Sequence, residues 1–391
     1  MPNLDPAAAT AAYLAEIPPE TLQRAIAYTE GSHWLLLWGW LVTLLACWLI
    51  LRSGALAALS VRLQRGRPRP ILASFLLGLV FLLLDWLLEL PWDAYAHWGR
   101  ETAYGLTHQS FAGWLGEQAL GAGINAVFGG LFLIVFYALA RRLQHSWPLW
   151  AGAAATIFFL VLLVLAPVFI EPLFNDYTPA PAGPIRDAVT ALARETGTPP
   201  DKIFIYNGSK QSDRYTANVS GAFGTARVAM SDTMFRQGVD LAEVRAVVGH
   251  EMGHYVHGHA LVFALAFGLL GMAGFELCRR LFGPAARLFG AGARSIADPA
   301  GLPVLWAMLA TLGLIGSPAL NTLIRFAESD ADHFSLVHAN EPDAMARVLL
   351  KTVEYRAPSP STLEEFLFYD HPSVEHRILA AMQWKAAPEG R

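Results

Sequence analysis

Six long apolar segments constrain this chain more than any other feature of its sequence. They lie at about 34–51, 71–92, 118–140, 148–170, 260–278 and 301–324. Each is close to the ~20 residues that a helix needs to cross the hydrocarbon of a bilayer. A content of 54% hydrophobic and 15% charged residues is typical of a membrane protein and not of a soluble one. The sequence therefore predicts a mainly α-helical, polytopic membrane protein with about six spans.

The second apolar segment carries two acidic residues, Asp85 and Glu89. Ionised groups at membrane depth are costly unless they face protein or a water-filled cavity. Either these side chains face an internal space, which we expect, or the span is shorter and shifted along the chain.

The N-terminal segment and the two cysteines narrow the class of protein further. Residues 1–30 are acidic and Ala-rich and lack the basic start of a cleavable signal, so we expect the first span to direct insertion. Cys47 and Cys278 both lie in predicted spans and therefore indicate no disulfide framework. A net charge of −4 without a basic patch argues against a nucleic-acid partner.

The order of apolar and polar stretches divides the chain into five parts. We predict an N-terminal amphipathic segment, spans one to four, a soluble segment with short strands at 202–206 and 226–230, spans five and six, and a mostly helical C-terminal segment. Their bounds are 1–30, 31–170, 171–259, 260–324 and 325–391.

The sequence His250-Glu251-Met252-Gly253-His254 lies in the first soluble segment. Asp240 can cap a helix there, and apolar residues at helical spacing follow it. On that helix the two histidines lie one turn apart, where they can share a zinc ion while Glu251 faces a water bound to it. This is the chemistry of a metallopeptidase; the alternative is a core helix with two satisfied histidines.

A third metal ligand is expected where the chain returns from the last pair of spans, just after Arg325. Glu328 and Asp332 lie there, one helical turn apart. Glu328 can ligate the metal while Asp332 accepts a hydrogen bond from a ligand histidine. Two imidazoles and one carboxylate leave a fourth position for water, which is typical of one catalytic Zn²⁺ per chain. An exposed acidic helix start is the alternative.

With these residues in place, the sequence resembles peptidase family M48, and within it the Ste24-like CAAX prenyl endopeptidases. The resemblance extends over most of the chain in a fixed order of motifs. These are Leu90-Pro91 with Tyr95, Glu101 and Gly105; Glu171-Pro172-Leu173-Phe174-Asn175; Gly208-Ser209-Lys210 before Gly221; Asp232-Thr233-Met234; the metal helix with His259; Glu328 with Ala331-Asp332; and His371-Pro372 with Arg377.

The resemblance implies a helical membrane protease whose spans enclose a chamber and whose zinc domain is gluzincin-like with a small β-sheet. It implies the same three zinc ligands, His250, His254 and Glu328, with Glu251 as general base and acid. It also implies that His371 and Arg377 lie close to the substrate. There we expect His371 to be the catalytic donor that stabilises the oxyanion. A histidine before proline can also merely close a turn.

The chain departs from the family at the strand that precedes the metal helix. The family's substrate-binding asparagine aligns with Thr216, and Asn218 occupies the next polar site. We expect Asn218, with Thr216 as the alternative, to bind substrate backbone along an edge strand at 215–220. Simple turn chemistry near Ser220-Gly221 would also explain this asparagine.

The basic residues predict the orientation of the chain in its membrane. The three arginine-rich loops after spans one, three and five share one side, so the positive-inside rule places both termini and the zinc domain outside the cytoplasm. The Ala- and Arg-rich composition suggests a bacterial inner membrane. The expected partners are the lipid bilayer and a membrane-associated polypeptide substrate, and the sequence leaves the oligomeric state open.

Two other functions fit parts of this pattern. One is a membrane-protein quality-control protease resembling the HtpX branch of the same family. The other is a non-catalytic membrane scaffold with structural zinc. Structural zinc sites usually have four protein ligands, whereas no cysteine lies near this motif, and Glu251 is intact.

Overall fold

The computed structural model describes residues 4–222, 224–236, 238–291 and 294–387, and it is mainly α-helical in these ranges. Its α-helices in chain order are α1 (Pro6–Ala15), α2 (Pro19–Ser53), α3 (Ala55–Gln64), α4 (Pro70–Asp93), α5 (Arg100–Ala103), α6 (Phe111–Arg142), α7 (Trp147–Leu165), α8 (Glu171–Phe174), α9 (Pro184–Thr196), α10 (Leu241–Val256), α11 (His259–Leu288), α12 (Leu302–His338), α13 (Pro342–Lys351), α14 (Thr362–Phe368) and α15 (Val374–Ala386). The strands are β1 (Tyr177–Pro179), β2 (Ile203–Tyr206), β3 (Ala217–Ser220) and β4 (Arg227–Ser231).

Six helical stretches of the described chain are long and apolar enough to cross a membrane. They are Pro19–Ser53, Pro70–Ala103, Phe111–Arg142, Trp147–Phe174, His259–Leu288 and Pro299–His338. Each contains one of the six predicted apolar segments, so the prediction of a multi-pass helical membrane protein is confirmed. Most helices extend well past the apolar segment, because polar residues at either end continue the same backbone hydrogen bonding.

The spans pack against each other around large buried aromatic side chains. Helix α7 packs along α11, α4 along α6, and α2 along α12. The shared core includes Phe81, Phe136, Trp147 and Phe275. The ring centroids of the last three lie 5.2 to 5.9 Å from one another. Many leucine, valine and tryptophan side chains on the outer faces are exposed, which is the arrangement that lipid contact requires.

The acidic residues of the second span face the inside of this bundle. Asp85, Glu89 and Asp93 line a cavity of about 580 Å³ between the spans. Asp85 is only 5% exposed, so it does not face lipid. This placement agrees with the expected internal space and disagrees with a shifted span.

The three basic loops gather at one end of the bundle. Helix α3, in the first loop, contacts α4 and the residues Pro299–Gly301 that end the third loop. From the second loop, Arg141 Nη1 donates to Ser74 Oγ at 3.2 Å, near the start of α4. The helix that carries His250 and His254 directly precedes α11, and Glu328 lies in the C-terminal part of α12, so these residues are at the ends of α11 and α12 that are far from the third loop.

The soluble part contains one small mixed sheet with strand order β1-β2-β4-β3. β1 and β3 pair antiparallel with their neighbours, and β2 pairs parallel with β4. The two predicted strands are therefore confirmed as β2 and β4. β3 lies at the edge, with Ala217 and Val219 directed to the core beneath the sheet.

Helix α10 lies between two hydrophobic cores. On one side Val244, Val248 and Met252 pack with the sheet and α9, and on the other Ala246 packs with α13 and α15. Helix α1 joins the second core and packs on α15. The N-terminal and C-terminal segments thus form one helical layer around the metal helix, and α12 runs without interruption across the predicted domain boundary at residue 324.

Candidate metal centre and active site

His250, Glu251 and His254 lie on helix α10, which is held by an N-terminal cap and by packing on both sides. At its N-terminus the Asp240 carboxylate accepts a hydrogen bond from Ala242 N at 2.9 Å, which satisfies one of the free N–H groups of the first turn. Val244, Val248 and Met252 on its apolar face are fully buried. The helix ends at Val256, and Gly258, between α10 and α11, has a φ of 66°, which suits glycine better than other residues.

Small residues let α12 approach α10 closely. Gly249 and Gly253 on α10 face Ala331 and Ser335 on α12, and Ser335 Oγ donates to Ala246 O at 2.7 Å. A Cβ on Gly253 would lie only 3.0 Å from Ala331 Cα. Glu328, one turn before Asp332 on α12, is thereby brought against the two histidines.

The three predicted metal ligands converge on one point. His250 Nε2 lies 3.2 Å from His254 Nε2 and 3.2 Å from Glu328 Oε2, and His254 Nε2 lies 3.3 Å from Glu328 Oε1. Glu328 is 7% exposed, so it is not part of an exposed acidic helix start. Its Oε2 atom is buried and accepts no hydrogen bond from the described residues. Two imidazole nitrogens and an unsatisfied carboxylate around one point suit a bound cation.

The His250 ring is held by a carboxylate that is itself held by an arginine. His250 Nδ1 lies 2.8 Å from Asp332 Oδ1, and Arg377 Nε and Nη2 both donate to Asp332 at 2.7 Å. With Nδ1 donating to Asp332, the Nε2 lone pair faces the metal point. Burial alone would lower the pKa of His250, but the Asp332 and Glu328 carboxylates outweigh burial and raise that pKa to about 10. The cluster therefore favours a positive charge at this point.

Arg377 thus contacts Asp332 in this structure, and its side chain is largely buried. Its contact with substrate stays a prediction.

Glu251 directly follows His250 on α10 and lies three residues before His254. Burial raises the pKa of its carboxyl, against the opposing effect of the neighbouring histidines. A carboxylate with a raised pKa is a better proton acceptor than an exposed one.

His371 lies at the same centre, although it comes from the loop after α14. Its Nε2 atom is 3.3 Å from Glu328 Oε2, and its Nδ1 atom is 2.8 Å from Asp370 Oδ1. The residue therefore contacts the metal-ligand cluster, and its catalytic role stays a prediction. Asp370 carries no motif of its own, and the only sequence signal for it is an acidic residue directly before this histidine.

Asn218 and Thr216 lie on the strand side of α10, since β3 packs beside that helix. Alternation along the strand puts both side chains on the face opposite to the buried Ala217. Asn218 Oδ1 is buried and accepts no hydrogen bond from the described residues, whereas Thr216 is exposed. Asn218 lies within β3, so it takes part in a strand and not in a turn. The substrate-binding role of either residue stays a prediction.

A second chain of polar contacts leads away from His254. His254 Nδ1 lies 2.9 Å from His259 Nδ1, and His259 Nε2 lies 3.1 Å from Asp330 Oδ2. His257 Nδ1 also contacts Asp330 Oδ2. Asp330 was not among the predicted site residues. The sequence signals for it are the His-x-His spacing at 257 and 259 and the acidic residues at 328–332 on α12.

Comparison with known proteins places this geometry in a family. The family model described as Peptidase family M48 matches residues 179–385, and the one described as CAAX prenyl protease N-terminal, five membrane helices, matches residues 6–176. The chain is 27% identical to the uncharacterized metalloprotease YhfN of Bacillus subtilis over 95% of this chain and 88% of that protein. It is 27% identical to a CAAX prenyl protease 1 homolog of Arabidopsis thaliana over 78% of this chain and 72% of that protein.

The fold also matches a solved structure. The crystal structure of S. mikatae Ste24p superposes with a TM-score of 0.75 at 22% identity, over 94% of this chain and 89% of that one. These similarities do not favour the HtpX-like alternative. The M48 model matches just over half of the chain, and six helical stretches of the described residues are long and apolar enough to cross a membrane. The chain is therefore an integral-membrane metallopeptidase of family M48.

Proposed function

We propose that the protein is a Ste24-like zinc endopeptidase that cleaves membrane-associated polypeptides, with His250, His254 and Glu328 as its zinc ligands. The observation that supports this most is the convergence of these three ligands on a point where Glu328 Oε2 is buried and accepts no hydrogen bond from the part of the chain that the structure describes. Two nitrogens and one carboxylate, with no cysteine, are a donor set that Zn²⁺ uses in catalytic sites with an open position.

Bound zinc would polarise the scissile carbonyl and make water a stronger nucleophile near neutral pH. The roles of the protein's own residues follow from their positions. Glu251 accepts the proton of the attacking water and returns it to the leaving amine, which its raised pKa favours. Asp332, held by Arg377, keeps His250 in the tautomer that leaves Nε2 unprotonated.

His371 is proposed as the donor to the developing oxyanion. Its Nδ1 atom is hydrogen-bonded to Asp370 and its Nε2 atom points toward the metal ligands. As an imidazolium, His371 donates from Nε2 while the Asp370 carboxylate stabilises the charge.

The substrate is proposed to bind in extended form along β3. This edge strand has no partner on its outer side among the described residues, and the buried Asn218 Oδ1 lacks a hydrogen bond. A peptide that pairs with β3 would supply the missing strand partner, and its N–H groups would offer a hydrogen bond to Asn218 Oδ1. The named CAAX prenyl proteases among the relatives support substrates that are attached to membranes.

We also propose that the soluble segments form one peptidase unit on the non-cytoplasmic face of a bacterial inner membrane. The charge of the loops supports this orientation, because the arginine-rich end of the bundle lies opposite the metal centre. The Bacillus relative supports a bacterial setting.

The experiment compares wild-type protein with Glu251→Gln, purified without an affinity tag in detergent. We expect Glu251→Gln to keep one zinc by elemental analysis and to lose peptide hydrolysis, because the ligands remain while the base is gone. Glu328→Gln should lose that zinc as well as hydrolysis. When a chelator has removed the zinc, adding zinc back should restore peptide hydrolysis in the wild type alone. A Glu251→Gln protein with nearly wild-type turnover would refute the mechanism. In the native membrane, the same inactive variant should retain its substrates for identification by mass spectrometry.

A further inference from the structure

A second group of metal-ligating side chains lies beside the active site on its solvent side. His257 and His259 follow the metal helix, and Asp330 projects from α12 toward them. One possible ligand atom from each of the three lies within 4.8 Å of the others. The His257 and Asp330 side chains are 36% and 46% exposed, so a hydrated cation can reach the group from solution.

We propose that His257, His259 and Asp330 form a second, inhibitory site for a divalent transition-metal ion such as Zn²⁺. Two imidazoles and a carboxylate are ligands that zinc prefers over Mg²⁺ or Ca²⁺, which prefer oxygen alone. The exposed position leaves room for water to complete the coordination. The inference rests on the proposed function only in taking His254 as a ligand of the first metal.

The inhibition follows from the hydrogen bond between His254 and His259. A neutral imidazole has one N–H and one lone pair. To ligate the first metal through Nε2, His254 must carry its proton on Nδ1 and donate it to His259 Nδ1, 2.9 Å away. His259 then carries its own proton on Nε2 and donates it to Asp330, 3.1 Å away.

A metal in the second site reverses this arrangement. It takes the lone pair of His259 Nε2, so the proton of His259 moves to Nδ1, and this N–H faces His254 Nδ1. His254 can then accept only with Nδ1 unprotonated, which places its proton on Nε2 and blocks that ligand of the first metal. No proton is gained or lost by the pair. If the hydrogen bond between the two rings breaks instead, His254 loses the contact that orients it as a ligand of the first metal. A metal in the second site therefore weakens the first site, which keeps His250 and Glu328, without excluding its metal.

Metal stoichiometry tests the site without reference to activity. Untagged full-length protein in detergent is dialysed against a rising series of free Zn²⁺, and bound zinc is measured by elemental analysis. We expect wild type to bind a second, weaker equivalent and His257→Gln to bind only the first. The control His145→Gln, which removes an exposed histidine in the loop between α6 and α7, should still bind two. Equal stoichiometry in wild type and His257→Gln would overturn the proposal.

The weakening of the first site is tested by metal release. The first site is loaded with an enriched zinc isotope, excess natural zinc is added, and the enriched isotope that remains is measured after desalting. Release should be about 10- to 100-fold faster in wild type than in His257→Gln, the range typical for loss of a partner that orients a metal ligand. Equal release rates would refute the coupling. Glu328→Gln separates the two hypotheses, because it should lose the first equivalent and keep the second.

Discussion

The close approach of α10 and α12 at Gly253 gives a sharp test of how the metal centre is assembled. In Gly253→Ala the new Cβ would lie 3.0 Å from Ala331 Cα and from Phe334 Cβ, and 3.2 Å from Phe334 Cγ. Carbon atoms that are not bonded pack at about 3.5–4.0 Å. Since one of these neighbours is backbone, the two helices must separate by a few tenths of an ångström.

That separation would carry Glu328 away from the two histidines, because Glu328 and Ala331 lie on the same turn of α12. Metal–ligand distances tolerate only about 0.2 Å of error. Overpacking costs about 1–3 kcal/mol, and replacement of a helical glycine by alanine returns about 0.5–1 kcal/mol. We therefore expect a net loss of about 1 kcal/mol in stability, the difference between the middles of these two ranges, and a fall in metal affinity of about 10- to 100-fold.

Two measurements check this prediction in parallel: the apparent Tm in detergent, and the zinc retained after dialysis against chelators of graded affinity. Gly271→Ala is the matched control, since it is also a glycine-to-alanine change within a helix but its Cβ would meet nothing within 4 Å. The control should keep its zinc, and its Tm should stay at or above that of the wild type. If Gly253→Ala also retained wild-type zinc affinity and Tm, the close contact would not be what positions Glu328.

Three further predictions follow from other parts of the structure. Asp332→Asn should fold but bind zinc about 10- to 100-fold more weakly, because His250 loses the carboxylate that sets its tautomer; unchanged affinity in a metal titration would exclude that role. Asn218→Ala should lower kcat/KM by about 1–3 kcal/mol with unchanged zinc content and Tm, and more than Thr216→Ala does on the same peptide, whereas a larger loss at Thr216 would move substrate binding there. A reporter that is active only in the cytoplasm should stay silent when fused to the C-terminus, and a strong signal would reverse the proposed orientation.

Much of the architecture could be read from local patterns. A helix that crosses a bilayer must pair its own backbone and expose apolar side chains along about 20 residues, so the six spans are visible without any knowledge of their neighbours. The spacing of His250 and His254 is equally local, because one helical turn sets it. Glu328 could be found because spans five and six return the chain to the side of the metal helix.

The contacts that orient these residues depended on tertiary structure. The hydrogen bond from Arg377 to Asp332 joins α15 to α12 across 45 positions. The polar contacts that run from His254 through His259 to Asp330 depend on how closely α10 and α12 pack. Helix α1, which looked like a separate amphipathic segment, completes the core around α13 and α15. The sequence by itself determined which helices form and which side chains can bind a metal, since hydrophobic periodicity and ligand chemistry are properties of short segments. Only the tertiary structure decided which side chains orient those ligands, because that depends on how closely helices distant in sequence pack together.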